Sequence, residues 1–255
     1  MAVVERERRG HVEVVTINRP EKRNAVNGEV SQTLSATFDE LEKDDEVWVV
    51  VLTGAGDKAF SAGMDLAAFA GGELAQIMAK GGFAGITERK FPKPLIAAVN
   101  GSALAGGCEI MLSCDLVVAA EHATFGIPEA KRGLIAGGGG VIRLPKRVPM
   151  AVALELGLTG DPIDAKRAFE IGLVNRVVPV ERLLDEAVAL AERIAENAPL
   201  AVRSTKRVMR ESYEIQESDA WPLSHEAFLT VSTSADAMEG SVAFVEKRQP
   251  NWQGK

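Results

Sequence analysis

Short apolar runs that end in glycine turns are the feature that most constrains how this chain folds. Residues 47–53 are almost entirely apolar and are followed by Gly54-Ala55-Gly56, and residues 95–99 are followed by Asn100-Gly101. Runs of this length, rich in valine, leucine and isoleucine, are typical of strands that are buried on both faces. Such strands belong to parallel sheets with helices packed on them, so the pattern predicts an α/β fold.

Periodicity predicts the elements around these two strands. Val30, Leu34, Phe38 and Leu41 recur at helical spacing, which predicts a helix over residues 28–43. Residues 66–90, rich in small side chains and glycine pairs, are expected to be partly helical and mobile and to line a pocket. The same reasoning predicts further strands at 11–17, 116–120 and 173–178, and helices at 141–148, 151–158, 164–171, 181–197, 200–212 and 235–247.

The order of these elements predicts the domain organisation. Strands and helices alternate in the first part of the chain, whereas the last part is helical. An α/β core over residues 1–198, carrying the active site, is therefore expected, followed by a helical region over residues 199–255.

Charge and composition exclude several functional classes. The 255 residues carry a net charge of −7 and contain no dense run of lysine and arginine, which argues against a nucleic-acid partner. The charged first nine residues predict no signal peptide, and the longest apolar stretch, residues 95–112, is too interrupted to span a membrane. Cys108 and Cys114 do not form a Cys-x-x-Cys pair, so neither a metal site nor a disulfide is predicted. The cytoplasm is the default compartment.

Two glutamates stand out within the apolar segment 93–144. Glu109 follows Ala105-Gly106-Gly107-Cys108, and Glu129 follows Phe125-Gly126-Ile127-Pro128. A carboxylate in apolar surroundings is costly to ionise, so its pKa tends to rise. Two such groups close together can hold one water molecule and move its protons, which predicts acid–base catalysis. The alternative for Glu129 is a structural role, because an acid after Pro128 favours the helix dipole.

Two glycine-containing turns near these acids predict donors for an oxyanion. The turn at residues 60–66 follows the strand at 47–53, and the turn at residues 105–107 follows the strand at 95–99 and opens a helix. The first amides of a helix have no partner within the helix. Loops at the carboxyl ends of neighbouring strands are therefore expected to aim N–H groups at one oxygen.

Two other catalytic motifs are weaker. Residues 54–59 match the loose G-x-G-x-x-A form of a dinucleotide-binding turn, but the residues that follow do not resemble the helix that this motif requires. Ser102 lacks the second glycine of a nucleophile elbow, and the three histidines have no motif around them. A nicotinamide-dependent oxidoreductase and a nucleophilic serine enzyme are accordingly minor alternatives.

Taken together, the motifs resemble those of the enoyl-CoA hydratase/isomerase (crotonase) family. The resemblance covers nearly the whole chain, and the order of several long motifs makes it specific. The motifs are Asn18-Arg19-Pro20-Glu21-Lys22-Arg23-Asn24-Ala25, residues 60–66, residues 93–144, Thr159-Gly160-Asp161 and Ala243-Phe244-Val245-Glu246-Lys247-Arg248. The resemblance implies a spiral of ββα units with a C-terminal helical trimerisation region, assembled as a homotrimer or a homohexamer.

The same resemblance implies a role for individual residues. Glu109 and Glu129 correspond to the two catalytic glutamates, the backbone amides of Met64 and Gly106 to the oxyanion hole, and the Gly137 amide to a donor that helps to hold the catalytic water. No tightly bound cofactor is implied, because coenzyme A enters as the thioester part of the substrate. The residues implied in CoA binding are Lys22, Arg23, Ala25, Ala62, Asp65, Leu66, Phe244 and Lys247, of which Phe244 and Lys247 often act from a neighbouring subunit.

The implied activity is reversible hydration of a 2-enoyl-CoA, in fatty-acid or related acyl-CoA metabolism. The alternatives within the family are a Δ3-Δ2-enoyl-CoA isomerase and a carnitinyl-CoA dehydratase, and the segment 125–131 resembles the carnitinyl-CoA dehydratase branch. A non-catalytic acyl-CoA-binding protein is a further alternative. Two positions depart from the usual pattern: Met64 stands where a small residue is common, and Ala136 stands where a proline usually precedes Gly137.

Overall fold

The computed structural model describes residues 2–78 and 80–255 and contains two sheets. The large sheet has the strand order β1-β2-β3-β5-β7-β10, and the small sheet has the order β4-β6-β8-β9. The strands are β1 (Val4–Arg9), β2 (Val12–Ile17), β3 (Val49–Gly54), β4 (Ala59–Ser61), β5 (Leu95–Val99), β6 (Ser102–Leu104), β7 (Leu116–Ala120), β8 (Thr124–Gly126), β9 (Ile163–Asp164) and β10 (Arg176–Val178). Residues 1 and 79, which fall in the predicted core domain and in the predicted small-residue segment, lie outside the described residues.

Eleven α-helices surround or extend the sheets in the described residues. They are α1 (Gly28–Lys43), α2 (Leu66–Ala70), α3 (Leu74–Ile77), α4 (Gly106–Ser113), α5 (Gly140–Arg147), α6 (Met150–Thr159), α7 (Ala165–Glu170), α8 (Leu183–Ala195), α9 (Pro199–Ser212), α10 (Glu217–Ser232) and α11 (Ala235–Glu246). Short 3-10 turns link several of them, including one at Pro128–Arg132.

A repeating path connects the two sheets. The chain adds one strand to the large sheet, one short strand to the small sheet and then a helix, as in β3-β4-α2 and β5-β6-α4. The strands that repeat in this way pair in parallel within each sheet. The predicted α/β fold, a spiral of ββα units, is confirmed.

Most of the elements predicted from periodicity are present. The helix predicted at residues 28–43 and the strands predicted at 95–99 and 116–120 have the predicted bounds. The short strands β4, β6, β8 and β9, the edge strand β1 and the helix α10 were not predicted. Three-residue strands carry too few side chains for a period to be visible, and α10 contains Pro222 and spreads its apolar side chains around its axis.

The central core lies between α1 and the large sheet. Val30, Leu34, Phe38 and Leu41, the residues that predicted α1, are all fully buried. Side chains of β2, β3, β5 and β7 face the same core, together with α8 on the large sheet. Burial of a continuous apolar cluster of this size is the main stabilising term for such a chain.

Lys93 ties three parts of the fold together although its side chain is only 1% exposed. Its Nζ donates to the carbonyl oxygens of Leu41 at 2.5 Å and Asp44 at 2.6 Å, at the end of α1. Its own carbonyl accepts a hydrogen bond from Lys206 Nζ of α9 at 2.7 Å. Burial lowers the pKa of Lys93, and the two carbonyls satisfy its ammonium group.

One carboxylate of the core, that of Asp115, pairs with two basic side chains of helix α9. Asp115, at the start of β7, forms ion pairs with Lys206 and Arg210 of α9 at 2.7 Å each and accepts the amide of Leu95 at 2.8 Å. Helix α9 begins at Pro199, where the domain boundary was predicted; the division into two domains stays a prediction. Large apolar side chains are exposed on these helices, namely Met209, Tyr213, Trp221, Phe228, Leu229, Met238, Phe244 and Val245.

The part of the chain that the structure describes has neither a membrane-spanning helix nor a metal-binding cluster. In residues 2–78 and 80–255, no helix is both long enough and apolar enough to cross a lipid bilayer. The same residues contain no cluster of three or more His, Cys, Asp or Glu side chains that could hold a metal ion.

Replacing Lys93 by Met is expected to destabilise the protein without touching the glutamates. The change leaves the Leu41 carbonyl without a donor among the described residues and leaves the Asp44 carbonyl with the Val47 amide alone, which we expect to cost roughly 2 kcal/mol or more. For a chain of this size that loss lowers Tm by about 4 °C or more in a thermal melt. Lys90→Met, at an exposed position three residues earlier, is the control and should leave Tm unchanged; equal melts for both variants would contradict the assigned role.

Candidate active site

The small sheet brings the functional loops together. Strands β4, β6 and β8 lie side by side in parallel, so their carboxyl ends meet at one edge. Met64 follows β4, Gly106 and Glu109 follow β6, and Glu129 follows β8. The two glycine-containing turns were expected at the ends of the strands at 47–53 and 95–99. They instead follow the short strands β4 and β6, because the chain crosses to the second sheet first.

Backbone contacts join the loop after β4 to the start of α4. A Cβ atom on Gly63 would lie 2.6 Å from the nitrogen of Gly106, and a Cβ atom on Gly107 would lie 1.9 Å from the carbonyl oxygen of Ser61. Gly63 also has a φ of +85°, a conformation that other residues rarely adopt. Only glycines allow the two backbones to approach this closely, so these positions explain why both turns are glycine-containing.

The amides of Met64 and Gly106 both point away from the protein's own acceptors. In a planar trans peptide the C=O and N–H groups point in opposite directions. The Gly63 carbonyl accepts Val26 N–H at 2.8 Å, so the Met64 N–H faces the other way. The Ala105 carbonyl accepts the N–H of Glu109 within α4, so the Gly106 N–H points out of the helix start. Among the described residues neither amide has an acceptor, which is the arrangement that an oxyanion hole requires.

Two residues that sequence reasoning missed hold the Met64 loop in place. Ser61 Oγ donates to the carbonyl of Asn24 at 2.9 Å and accepts the Gly63 amide at 3.1 Å, and its side chain is fully buried. The side-chain amide of Asn24 donates through Nδ2 to the carbonyls of Ala55 and Ala59 at 3.0 and 2.7 Å. These bonds occupy the Gly63 N–H, so Met64 is left as the donor of this loop.

Glu109 lies on α4, one turn after Gly106, and is 4% exposed. Its Oε1 accepts the amide of Gly140 at 2.9 Å. Burial raises the pKa of Glu109, while the amides of Gly140 and Gly138 and the charge of Arg143 act in the opposite direction. The carboxylate is therefore buried but partly compensated, and its expected apolar surroundings are confirmed.

Glu129 is half-buried in the first turn of the 3-10 helix at Pro128–Arg132. Burial raises its pKa to about 7, and the charge of Glu109 adds to the shift, while its own backbone amide opposes it. Its Oε2 is buried and has no hydrogen-bond partner among the described residues. A buried carboxyl oxygen without a donor favours the protonated form. The two glutamates thus lie close enough to interact and differ in their hydrogen bonds.

The loop at residues 137–140 contacts Glu109 through Gly138 and Gly140. The Gly137 amide, predicted to help hold a water molecule, donates to the carbonyl of Ile135 at 2.8 Å in this structure. Gly138 leaves no room for a side chain beside the carboxylate, because a Cβ there would be 2.7 Å from Glu109 Oε2. The role of the Gly137 amide stays a prediction, and Gly138 and Gly140 are the glycines that contact Glu109.

The loop at residues 22–25 lies beside the Met64 loop. The Ala62 amide donates to the carbonyl of Arg23 at 3.0 Å, and Ala25 is buried while Lys22 and Arg23 are exposed. Arg23 has a φ of 52° and is followed by a second residue, Asn24, with a φ of 55°. Two successive non-glycine residues in this conformation mark a strained loop of the kind found at binding sites.

Asp65 has a structural role at the start of α2. Its carboxylate accepts the amides of Ala67 and Ala68 and pairs with Arg19 at 3.2 Å. Although burial acts to raise it, the pKa of Asp65 is lowered by these amides and by the guanidinium. Leu66, the next residue, is exposed. The CoA-binding role predicted for Asp65 and Leu66 stays a prediction.

Phe244 and Lys247 lie in and just after α11, which contacts α10. The side chain of Phe244 is 86% exposed, and Lys247 ends the helix with a φ of 55°. Phe244 also lines a groove of about 610 Å³ between the C-terminal helices and the residues after Arg248. The contact of Phe244 and Lys247 with CoA stays a prediction.

The minor alternatives lack the structure that they need. Residues after Gly56 form β4 and not a helix. A dinucleotide-binding turn needs a helix N-terminus to hold the phosphate, and this segment does not supply one. Ser102 lies in β6, and its hydroxyl accepts a hydrogen bond from Thr124 at 3.1 Å. Neither segment supports the oxidoreductase or the serine-nucleophile alternative.

Comparison with known proteins identifies the family. The pattern described as "Enoyl-CoA hydratase/isomerase" matches residues 7–255. Carnitinyl-CoA dehydratases of Proteus mirabilis and Escherichia coli K12 are 40% and 41% identical over 97% of both chains. The crystal structure of an enoyl-CoA hydratase from Mycobacterium tuberculosis H37Rv is 49% identical, with a TM-score of 0.96 over 100% of both chains. A carnitinyl-CoA hydratase from Mycobacterium avium is 48% identical, with a TM-score of 0.80 over 100% of both chains.

The chain belongs to the enoyl-CoA hydratase/isomerase family. The predicted family is thus confirmed. The resemblance of residues 125–131 to the carnitinyl-CoA dehydratase branch agrees with the names of several relatives. The prediction of an enzyme of the hydro-lyase type is confirmed at the level of the family.

In this member of the enoyl-CoA hydratase/isomerase family, Gly138→Ala is expected to reduce turnover far more than Gly137→Ala. The new methyl group at position 138 would lie 2.7 Å from Glu109 Oε2 and would push the carboxylate away, whereas at 137 its nearest neighbour lies 3.8 Å away. If Glu109 takes part in the reaction, a misplacement of its carboxylate by about 1 Å reduces turnover by about 100-fold. Steady-state kinetics with crotonyl-CoA would measure this, and equal losses in both variants would contradict the placement of Gly138.

Proposed function

We propose that the protein catalyses the reversible hydration of a 2-enoyl-CoA thioester to a 3-hydroxyacyl-CoA. The observation that carries the proposal is the buried carboxyl group of Glu109 one helical turn after the Gly106 amide, with the half-buried Glu129 close enough to feel its charge. The backbone amides of Met64 and Gly106 have no acceptor among the described residues. The named relatives support a CoA thioester as the substrate.

The amides of Met64 and Gly106 would polarise the thioester carbonyl. Addition of water at the β-carbon moves negative charge onto that carbonyl oxygen. Both donors are fixed by backbone hydrogen bonds before the substrate binds, so little reorganisation is needed as the charge develops. One such donor typically contributes about 3 kcal/mol of transition-state stabilisation.

The different surroundings of the two glutamates support different roles. Glu109 is compensated by two amides and by Arg143, so it suits the carboxylate that takes a proton from the attacking water. Glu129 has an oxygen without a hydrogen-bond partner in residues 2–78 and 80–255 and a pKa raised to about 7, so it suits the acid that protonates the α-carbon. In the direction of dehydration the same groups act in reverse.

Both glutamates support hydration over isomerisation. A Δ3-Δ2-enoyl-CoA isomerase needs one carboxylate to shuttle a proton and no water molecule. Here two carboxyl groups interact through their charges, and burial raises the pKa values of both. Dehydration of carnitinyl-CoA uses the same two groups, and the names of several relatives support it as the second candidate.

Coenzyme A would lie along the loops at residues 22–25 and 62–66. The exposed side chains of Lys22 and Arg23 suit its phosphates, and the backbone at Ala25 and Ala62 suits the pantetheine and adenine groups. Phe244 and Lys247 would close over the CoA of a neighbouring subunit, which fits the exposure of Phe244.

A homotrimer or a homohexamer is the proposed assembly. Large apolar side chains remain exposed on α9, α10 and α11, including Trp221, Phe228 and Phe244. Exposed apolar surface of this extent is typical of a protein interface. The C-terminal helices are therefore the proposed trimerisation region.

Glu109→Gln and Glu129→Gln are each expected to reduce hydration of crotonyl-CoA by roughly 100-fold or more, because each removes one proton-transfer group. Loss of the 2-enoyl thioester absorbance gives the rate. The test should include a series of 2-enoyl chain lengths and crotonobetainyl-CoA. A near-wild-type rate in either variant would refute its assigned role, and CoA binding without turnover of any substrate by the wild type would refute the proposed activity.

The hydration rate should fall as the pH rises through about 7. The pKa of Glu129 is raised to about 7, so its acid form is present below that pH and is lost above it. Glu109 must be ionised, and its raised pKa limits the rate on the acidic side. A profile of kcat/KM between pH 5.5 and 9.5 would show this, and a flat profile from pH 6 to 9 would contradict the role of Glu129 as the acid.

A further inference from the structure

Phe83 lies in a segment with an unusual backbone. Gly81, Gly82, Ala84 and Gly85 have φ values of 94°, 81°, 56° and 68°. Left-handed conformations are unfavourable for residues with a side chain, so Ala84 is strained. Strain of this kind persists only where the surrounding structure holds the segment in place.

Contacts with α1 hold the segment. Arg89 donates to the carbonyls of Gly85 and Ser35, both at 3.1 Å, and pairs with Asp39 at 2.6 Å. Gly85 lies directly on the backbone of Ser35, since a Cβ there would be 2.8 Å or less from three Ser35 atoms. Arg89 is itself almost fully buried, with a side chain 7% exposed. The position of Phe83 is therefore set by a rigid anchor on α1.

The side chain of Phe83 reaches two glycines of the candidate active site. A Cβ on Gly106 would lie 2.5 and 2.6 Å from two ring atoms of Phe83, and a Cβ on Gly138 would lie 3.3 Å from the Phe83 Cβ. Gly106 carries one oxyanion donor, and Gly138 borders the carboxylate of Glu109. Neither glycine has a side chain, so Phe83 supplies the side-chain surface between the two.

We propose that Phe83 is a specificity-determining residue that restricts the enzyme to 2-enoyl thioesters without a branch on either carbon of the double bond. We call the space bordered by Phe83, Gly106 and Gly138 the acyl slot. This proposal rests on the proposed function, in which the carbonyl lies at the Gly106 amide and the β-carbon at Glu109. The α- and β-carbons then pass along Phe83.

The contacts with α1 make Phe83 selective because they hold it in place. A methyl branch on the α- or β-carbon needs space that the side chain of Phe83 occupies. A flexible side chain could move aside, but Phe83 is 4% exposed and its backbone is held by the contacts with α1. Tight packing around it makes displacement costly, so branched substrates are rejected while linear ones fit.

Two truncations of Phe83 test the proposal. Phe83→Leu and Phe83→Ala would be assayed for kcat/KM with crotonyl-CoA, 2-methylcrotonyl-CoA and 3-methylcrotonyl-CoA. Phe91→Leu and Phe91→Ala are the matched controls, because Phe91 is also a buried core phenylalanine, 6% exposed, and packs on Phe38. The readout is the ratio of branched to linear kcat/KM, which a purely structural role would not change.

For at least one branched substrate, this ratio is expected to rise by about tenfold or more in the Phe83 variants and to stay constant in the Phe91 variants. An unchanged ratio in folded Phe83→Leu would overturn the proposal, even if Phe83→Ala fails to fold. It would also be overturned if the Phe83 variants lost activity on all three substrates equally, or if the wild type hydrated branched and linear substrates equally well. Failure of the wild type on every 2-enoyl-CoA would instead refute the proposed function, which keeps the two outcomes separate.

Discussion

The close contact between the backbone of Ser61 and Gly107 is the constraint on which the candidate active site depends. A Cβ on Gly107 would lie 1.9 Å from the Ser61 carbonyl oxygen, so no other residue fits without moving the backbone. Through this contact and the one between Gly63 and Gly106, the loop after β4 and the start of α4 form one unit. The two amides proposed to bind the thioester carbonyl are fixed within that unit, and Glu109 follows one turn later on α4.

Burial has opposite consequences in different parts of the molecule. In the core it stabilises the fold, and even Lys93 is accommodated there because two carbonyls accept its ammonium group. At the site it raises the pKa of both glutamates, but Glu109 is compensated by two amides and a nearby guanidinium, whereas Glu129 is compensated only by its own backbone amide. Glu129 keeps an oxygen for which the described part of the chain supplies no hydrogen-bond partner. This difference, more than burial itself, separates a group suited to accept a proton from one suited to donate it.

Long elements and the glutamate pair could be predicted from the sequence because their signals are local. The helix at Gly28–Lys43 has its apolar residues on one face, and the strand at Leu95–Val99 is an uninterrupted apolar run. The short strands β4, β6 and β8 could not be predicted, since three residues show no period and their partners are distant in the chain. Phe83 and Ser61 were missed for a similar reason: only the folded chain shows what their side chains touch.

The sequence by itself determined the α/β class, the family, the identity of the two acids and the glycines that permit close backbone contact. The class, the acids and the glycines follow from residue types and short spacings, and the family follows from the order of several motifs along the chain. Tertiary structure decided which amides are free, which glycine borders Glu109 and how the two carboxyl groups differ. Those properties arise from contacts between segments far apart in sequence. The Gly137 amide, for example, is bonded to Ile135 in the fold, while Gly138 and Gly140 approach Glu109 across about 30 residues of chain.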